Sequence, residues 1–134
     1  MNIFDSYLEE ILNLIQENQK KLNIKEINKF KGVSLEIPPA NFASDLSSNI
    51  CMILAKLNNV DSKKLALKIK ELITENIRDF KNVEVAGPGF INLSLTNKAL
   101  ISIINKIIIE GKSFGSTTSN FSYNIEFVSA NPTG

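Results

Sequence analysis

A short segment beyond the middle of the chain combines an aromatic ring with a carboxamide, and these two groups together can bind an unpaired nucleobase. The segment runs from Val83 to Leu95 and reads V-E-V-A-G-P-G-F-I-N-L-S-L. Gly87-Pro88-Gly89 predicts a turn, because proline presets φ and either glycine can adopt the positive φ that closes it. Apolar residues alternate with other residues on both sides of this turn, which predicts a β-hairpin.

The alternation places Phe90, Asn92 and Ser94 together on one face of the second strand. The opposite face is apolar and is expected to join the core, with Ile91, Leu93 and Leu95. A ring on the other face can stack on an unpaired base, while the carboxamide hydrogen-bonds to the edge of that base. In the alternative interpretation, Phe90 packs under a neighbouring helix and Asn92 caps a loop. The pattern alone leaves both interpretations open.

Bulk composition indicates an ordinary globular protein rather than a disordered one. Of the 134 residues, 43% are hydrophobic and 22% are charged, and this length fits one domain or one domain plus part of another. The formal net charge is +1, too balanced to indicate nucleic-acid binding by total charge. Positive charge is nevertheless concentrated between residues 20 and 31, at Lys20, Lys21, Lys25, Lys29 and Lys31 against Glu26 alone. A solvated lysine surface is the default explanation of such a cluster.

The chain contains no histidine, which removes Ser-His and Cys-His nucleophilic pairs, imidazole bases and histidine-containing zinc sites. The order of the Asp and Glu residues does not suggest a paired acid and base either. The sequence therefore predicts no catalytic residue and no metal ligand in this chain.

The single cysteine, Cys51, lies among apolar residues of a helical pattern. It cannot form an internal disulfide, so it is predicted to fill the core, and its presence favours a reducing compartment. Acidic residues interrupt the apolar N-terminal segment, unlike a signal peptide, and no apolar run is long enough to cross a membrane. We therefore expect a cytoplasmic protein without membrane contact.

Apolar residues spaced three and four apart predict four amphipathic helices. The expected spans are residues 3–18, about Leu46–Leu57 with Ser44 or Asp45 as N-cap, about 62–79 after an N-cap at Asp61, and 98–110 after an N-cap at Thr96 or Asn97. Besides the central hairpin, two short segments, 24–29 and 33–37, predict a second hairpin across Gly32. Pro38-Pro39 would end it, because neither proline can donate a hydrogen bond to a ladder.

The composition changes at residue 112, where a polar stretch rich in Gly, Ser and Thr predicts a linker through residue 120. A strand is predicted from Ser122 to Val128, and it suggests the opening of a second domain. We therefore divide the chain into a domain at residues 1–112 and a linker with the first strand of another domain at residues 113–134. Without its parent sheet, the segment 121–128 is expected to be mobile or to borrow an edge from another copy.

Three separated motifs resemble the N-terminal part of bacterial-type arginyl-tRNA synthetases, in the order and spacing of that family. They are S-D-L-S-S-N at residues 44–49, V-E-V-A-G-P-G-F-I-N at residues 83–92 and E-F-V-S-A-N-P-T-G at residues 126–134. In the first motif, Ser44 and Leu46 replace the glycine and the aromatic residue that the family usually carries. In the family, the third motif runs into the His-Ile-Gly-His signature of class I synthetases, which would begin a few residues beyond Gly134.

The resemblance implies the fold class α+β, as a two-layer domain in which a four-stranded, largely antiparallel sheet of two hairpins packs against helices. Residues 1–112 would be the family's additional, tRNA-recognition domain, and residues 113–134 a truncated start of the class I catalytic domain. The two hairpins and four helices predicted from the residue patterns agree with this architecture.

The family attaches arginine to its tRNA with ATP and Mg²⁺, so the resemblance implies this ligase activity for a full-length, monomeric parent. In the family, the domain contacts the outer corner of the tRNA, chiefly an unpaired D-loop nucleotide. Phe90 would stack on that base and Asn92 would read its edge. Glu126, Ser129 and Asn131 match positions that contact the arginine substrate. The chain alone lacks the signature histidines and the later ATP-binding loop, so it is expected to bind no cofactor and to be inactive.

Two other functions remain open. A docking domain without RNA contact, bound to its own catalytic body or to another protein, fits the near-neutral charge of the chain. An independent enzyme that uses S-A-N-P-T-G as an anion-binding nest would need a helix after Gly134. RNA binding and docking differ in one observable: only RNA binding makes the hairpin and the lysines at residues 20–31 respond to tRNA and to salt.

Overall fold

The structure is a computed structural model that describes residues 2–116, and this range contains five α-helices and four strands. The helices are α1 (Ile3–Glu17), α2 (Gln19–Leu22), α3 (Ile50–Asn58), α4 (Ser62–Asn76) and α5 (Asn97–Glu110). The strands are β1 (Leu35–Glu36), β2 (Leu46–Ser48), β3 (Phe80–Ala86) and β4 (Phe90–Leu95). Short 3₁₀ turns occupy Asn28–Phe30 and Gly111–Ser113.

The four strands form one sheet in the order β1-β2-β4-β3, and every neighbouring pair is antiparallel. The predicted turn joins β3 to β4, while β2 pairs with the other side of β4. Helices α3 and α4 contact these strands, and the apolar residues Ile91 and Leu93 of β4 are fully buried. This arrangement confirms the predicted α+β fold, with a four-stranded antiparallel sheet packed against helices.

Helices α1, α4 and α5 each begin at a side chain that accepts a hydrogen bond from the first helical turn. These residues are Asn2 for α1, Asp61 for α4 and Thr96 for α5, so the predicted caps of the last two helices are confirmed. The apolar residues that recur every three or four positions along α4 and just after it are all buried: Leu65, Ile69, Leu72, Ile73, Ile77 and Phe80. The helix ends earlier than predicted, because Ile77 is extended and leads the chain into β3.

The predicted strand at residues 24–29 is wrong, because the Asn58 side chain pairs with the backbone of this segment in place of a neighbouring strand. The Asn58 Oδ1 accepts hydrogen bonds from the backbone N–H groups of Lys25 at 2.8 Å and Glu26 at 2.9 Å. The Asn58 Nδ2 donates to the Glu26 carbonyl at 2.7 Å. The chain then enters the 3₁₀ turn instead of a ladder, and the first hairpin consists of β1 and β2.

The helix predicted from Leu46 starts later than expected, because residues 46–48 pair with β4 as strand β2. Helix α3 begins at Ile50, and neither Ser44 nor Asp45 is its N-cap. The predicted end of this helix is confirmed: it ends at Asn58, and the following residue, Asn59, is left-handed with φ of 52°.

Asn49 occupies the N-cap position of α3 and also fixes the segment that leads into β1. Its Oδ1 accepts a hydrogen bond from the Ser34 backbone N–H at 2.9 Å, and its Nδ2 donates to the Gly32 carbonyl at 3.1 Å. Asn49 and Asn58 therefore attach the segment 25–34 to the two ends of α3.

The core is aliphatic and lies between the sheet and the helices, with Ile11, Ile15, Ile50, Leu54, Ile69, Leu72, Ile73, Ile91 and Leu93 among its fully buried side chains. Cys51 belongs to this core, as predicted, and burial raises the pKa of its thiol to about 12. The thiol therefore stays protonated at neutral pH and acts as an apolar filler.

Helix α5 contributes little to the core, because Ala99 is its only buried residue. Its large aliphatic side chains are mostly exposed: Leu100, Ile101, Ile104, Ile107, Ile108 and Ile109. The helix therefore presents an apolar surface outward.

Several predictions fall on residues 117–134, which lie outside the described range. They are the strand at 122–128 and the arginine-site residues Glu126, Ser129 and Asn131. The domain boundary at residue 112 also stays a prediction.

Candidate nucleic-acid interface

The β3–β4 hairpin forms as predicted, and its turn ends directly at Phe90. Ala86 is paired with Phe90 across the hairpin, and the Gly89 N–H donates to the Ala86 carbonyl at 3.2 Å. Gly87 and Gly89 both have positive φ, 52° and 127°. The two glycines are therefore the residues that allow the chain to reverse here.

A glycine is also needed at position 89 for lack of space, because the hairpin turn packs against Ser62 in the first turn of α4. A Cβ atom added at Gly89 would overlap the Ser62 hydroxyl and would lie 3.3 Å from the Ser62 carbonyl oxygen. The Ser62 Oγ is buried at this contact and has no hydrogen-bond partner among the described residues. The close contact fixes the position of the turn from which Phe90 projects.

A pocket of about 260 Å³ lies beside this turn. Its lining residues come from the β1–β2 connection, from the sheet and from the hairpin turn: Pro39, Phe42, Ser47, Ala86, Gly87, Pro88, Phe90 and Asn92. None of these lining residues is charged. The volume is slightly below the range of about 300–1,000 Å³ that is typical of sites for drug-sized ligands.

The predicted pair, Phe90 and Asn92, lines this single pocket, in agreement with the alternation of β4. Phe90 is 36% exposed, a large exposure for an aromatic ring. Asn92 is only 3% exposed, and Ser94 is also buried, although both were expected on a face outside the core. Phe90 therefore forms a wall of the pocket, whereas Asn92 lies at its base.

A row of polar residues crosses the sheet at the level of Asn92. In the strand register, Asn92 is directly opposite Ser47 of β2 and Glu84 of β3, and Ser47 is directly opposite Glu36 of β1. Directly opposite residues project from the same face of a sheet. The row therefore combines two carboxylates, which only accept hydrogen bonds, with a hydroxyl and a carboxamide, which can both donate and accept.

Phe42 and Ser47 are pocket residues that the sequence patterns did not identify. The helix predicted from Leu46 includes Ser47, whereas the structure places Ser47 in strand β2. Phe42 lies in the proline-containing loop between β1 and β2 and is 42% exposed. An aromatic residue in such a loop, outside any helical or strand period, is the signal that could have identified it.

The lysines between residues 20 and 31 do not line this pocket. They are exposed, and Lys21 forms a surface ion pair with Glu75 of α4 at 3.4 Å. Because an exposed pair of this kind is weak, Lys21 can exchange Glu75 for a polyanion. All the lysines of this segment therefore remain available to a polyanion.

The described residues offer no sign of metal chemistry or of a membrane span. Within residues 2–116, no three His, Cys, Asp or Glu side chains are grouped so that they could hold a metal ion. No helix of that range is both long enough and apolar enough to cross a bilayer.

The fold and the pocket define an α+β domain whose sheet carries an uncharged, aromatic-walled site. A family profile, the arginyl tRNA synthetase N terminal domain, matches residues 9–95, which include β1, β2 and the whole hairpin. The chain therefore belongs to the family of arginyl-tRNA synthetase N-terminal domains.

Curated relatives agree with this assignment. An arginine–tRNA ligase of Pelagibacter ubique is 37% identical over 136 aligned positions, which cover 100% of this chain and 24% of the relative. The arginine–tRNA ligase of Staphylococcus epidermidis shows the same identity and coverage, and that of Rickettsia canadensis is 40% identical with coverage of 100% and 23%. The chain thus spans about a quarter of the length of these relatives.

Proposed function

We propose that this chain is the tRNA-contacting domain of an enzyme that joins arginine to its tRNA with ATP. The family assignment and the names of the relatives, which are arginine–tRNA ligases, support this function. ATP and Mg²⁺ would be used by the whole enzyme, of whose length this chain spans about a quarter. The enzyme would be cytoplasmic and monomeric, and residues 1–134 alone would have no ligase activity.

The pocket beside the hairpin turn is the observation that carries the proposal. An unpaired base from the outer corner of the tRNA, in the D-loop, would stack on Phe90, and the Asn92 carboxamide would bond to its edge. A stack of this kind contributes about 1–3 kcal/mol, which is enough to favour one tRNA but not to hold it unaided. Because no lining residue is charged, the phosphates would contact other surfaces, of which the lysines at residues 20–31 are candidates.

A second part of the proposal concerns the C-terminal segment. Glu126, Ser129 and Asn131 would contribute to the arginine pocket, where a carboxylate can pair with the cationic substrate and the two polar side chains can bond to its ends. Residues 1–112 would then bind tRNA, and residues 113–134 would belong to the catalytic domain.

The proposal is tested by amide chemical-shift titration of the 134-residue chain with a transcript of the tRNA for arginine. We expect the largest shifts at Phe90, Ile91 and Asn92, with weaker shifts for an unrelated tRNA. Phe90→Ala should weaken binding by about 5- to 150-fold, the equivalent of one stack. Leu67→Ala is the matched control, because Leu67 is an exposed apolar residue of α4 that does not line the pocket.

Salt separates the two kinds of contact. Because stacking is not ionic, Phe90→Ala should lower the affinity by a similar factor at low and high salt. Replacement of Lys29 should instead reduce the dependence of affinity on salt concentration. Equal binding of cognate and unrelated tRNA by both the unsubstituted chain and Phe90→Ala would overturn the proposal.

A docking domain without RNA contact is the second candidate function, and the exposed aliphatic face of α5 favours it. Its partner would be the rest of the ligase polypeptide. This chain covers 24% of the length of the relatives, so that remainder would be about three-quarters of the enzyme. In that case tRNA would shift no amide of the chain, and replacement of Ile104 and Ile108 by serine would impair arginylation by the full-length enzyme without any change in tRNA affinity.

A further inference from the structure

We infer that Phe42 is a second stacking residue of the pocket, so that a bound base is enclosed between the Phe42 and Phe90 rings over Ser47 and Asn92. This inference rests on the proposed function, because it specifies how the same pocket holds a base. It adds a residue from the β1–β2 connection to a site that the sequence motif confines to the hairpin.

The first argument is the position of the two rings. Phe42 and Phe90 line the same pocket and are 42% and 36% exposed, so part of each ring is free to contact a ligand. They reach the pocket from different segments, the β1–β2 connection and the start of β4. Two exposed rings at one uncharged pocket are suited to a flat aromatic ligand, which can contact both.

The second argument is that the backbone of the loop around Phe42 is held in place before any ligand binds. Its N–H donates to the Pro39 carbonyl at 3.0 Å, which closes a turn over residues 39–42. At the end of the same connection, the Asp45 N–H donates to the Leu93 carbonyl at 2.9 Å. The loop is therefore attached to the strand that carries Phe90 and Asn92, so little ordering of its backbone is needed on binding.

The third argument is the chemistry of the base of the pocket. Ser47 and Asn92 are directly opposite each other in the β2–β4 register, so their side chains are neighbours on one face. Together they supply a hydroxyl and a carboxamide to the edge of a ring whose two faces contact phenylalanine. A nucleobase has this combination of flat apolar faces and a polar edge, whereas an aliphatic peptide side chain does not.

The test compares three substitutions at position 42 in the 134-residue chain, with the transcript of the tRNA for arginine as probe. Phe42→Ala should weaken binding by about 5-fold or more. Phe42→Leu, which keeps apolar volume but has no aromatic face, should restore only part of the loss. Phe42→Trp should bind at least as well as the unsubstituted chain. The melting temperature should change little in each case, because Phe42 does not belong to the buried core.

Phe42→Trp also provides a direct readout, because the natural sequence contains no tryptophan. Stacking of a base on the introduced indole should quench its fluorescence as tRNA is added. Leu67→Trp is the control, since an indole on the exposed surface of α4 should not respond to the same probe.

The outcomes separate this inference from the proposed function. If Phe90→Ala weakens binding while all Phe42 variants bind normally and the indole is not quenched, Phe42 is not a stacking residue and the proposed function stands. If Phe42→Leu binds as well as the unsubstituted chain, the ring contributes only apolar volume and the inference is wrong. If neither ring matters, or the unsubstituted chain shows no saturable binding, the proposed function fails and this inference fails with it.

Discussion

The Asp45 carboxylate accepts a hydrogen bond from the Leu95 backbone N–H at 2.7 Å, and the Asp45 N–H donates to the Leu93 carbonyl at 2.9 Å. These two bonds join the end of the β1–β2 connection to β4. One wall of the pocket, with Phe42, belongs to that connection, and the other wall, with Phe90, belongs to β4. Asp45 therefore sets the distance between two segments that would both contact a ligand.

Asp45→Ala should destabilise the domain by about 1.5–3 kcal/mol, because the partly buried Leu95 N–H loses its charged acceptor. We also expect weaker tRNA binding than the stability loss explains, since the Phe42 loop is no longer fixed to β4. Urea denaturation and the tRNA titration measure the two effects. Asp45→Asn, which keeps an acceptor oxygen, should be milder in both.

The control for Asp45 is Asn2→Ala, which removes a comparable side-chain bond to a backbone N–H, that of Asp5 at 2.8 Å, at the start of α1. This variant should lose about 0.5–2 kcal/mol of stability without a specific effect on tRNA binding. If Asp45→Ala and Asn2→Ala affect tRNA binding equally, Asp45 has no role in shaping the pocket.

Gly89→Ala should be more destabilising than Gly87→Ala, although both glycines lie in the same turn with positive φ. At Gly87 an added Cβ would meet nothing within 4 Å, so the expected cost is only left-handed strain of about 1–2 kcal/mol. At Gly89 the methyl group would also overlap the Ser62 hydroxyl, which adds about 1–3 kcal/mol. Thermal or urea denaturation of the two variants measures the difference.

Substitution of Ser62 isolates the steric part of this effect. Ser62→Gly in the Gly89→Ala background should recover the cost of the overlap but not the cost of the unfavourable φ. Ser62→Ala in the natural background should be neutral or stabilising, because it removes a buried hydroxyl with no partner among the described residues. Equal stability of Gly89→Ala with and without Ser62→Gly would show that the contact does not limit the turn.

Asn58→Ala should destabilise the domain by about 2 kcal/mol or more, because one side chain forms four hydrogen bonds. Besides its bonds to Lys25 and Glu26, Asn58 donates to the Leu54 carbonyl at 2.9 Å. Hydrogen exchange should show loss of protection at the amides of Lys25 and Glu26. Asn58→Asp should keep part of that protection, since a carboxylate still accepts from both N–H groups.

Asn76→Ala is the matched control for Asn58. Asn76 is likewise the last residue of a helix and donates to the carbonyl four residues earlier, that of Leu72, at 2.8 Å. Its side chain makes no bond to another segment within the described residues. If the two alanine variants lose the same stability, the attachment of residues 25–26 by Asn58 contributes nothing measurable.

These contacts explain which elements could be predicted from the sequence. Helices α1, α4 and α5 and the central hairpin depend on local signals, such as the Asp61 cap, the Gly87-Pro88-Gly89 turn and apolar periodicity. The segment 24–29 has a strand-like composition, but its backbone bonds to the side chain of Asn58. That residue lies 33 positions after Lys25 and 32 positions after Glu26. No local pattern indicates such a partner.

The same distinction applies to the candidate site. Alternation along one strand was enough to place Phe90 and Asn92 together. The predicted start of α3 is too early because Leu46, four residues before Ile50, also fits the helical spacing, and only pairing with β4 makes residues 46–48 a strand. Ser47 and Phe42 reach the pocket through that pairing and through the loop before it, so both were missed.

Glu10→Gln should stabilise the domain at pH 7 and lose this advantage near pH 3. Partial burial raises the pKa of the Glu10 carboxyl, and the neighbouring Asp79 carboxylate raises it further. The folded state therefore binds this proton more tightly than the unfolded state, so ionisation of Glu10 opposes folding above the folded pKa. Below the unfolded value, about 4.3, the carboxyl is protonated in both states and the penalty disappears.

The size of this effect should remain below about 1 kcal/mol, because the Glu10 carboxyl keeps contact with solvent and is screened. Urea denaturation at pH 7 and at pH 3 measures it. The gain at pH 7 should be smaller in an Asp79→Asn background, where the repelling charge is absent. That background needs its own baseline, because the Tyr7 hydroxyl donates to the Asp79 carboxylate at 2.9 Å. A gain of equal size at both pH values would instead attribute the effect to helix propensity at this position of α1.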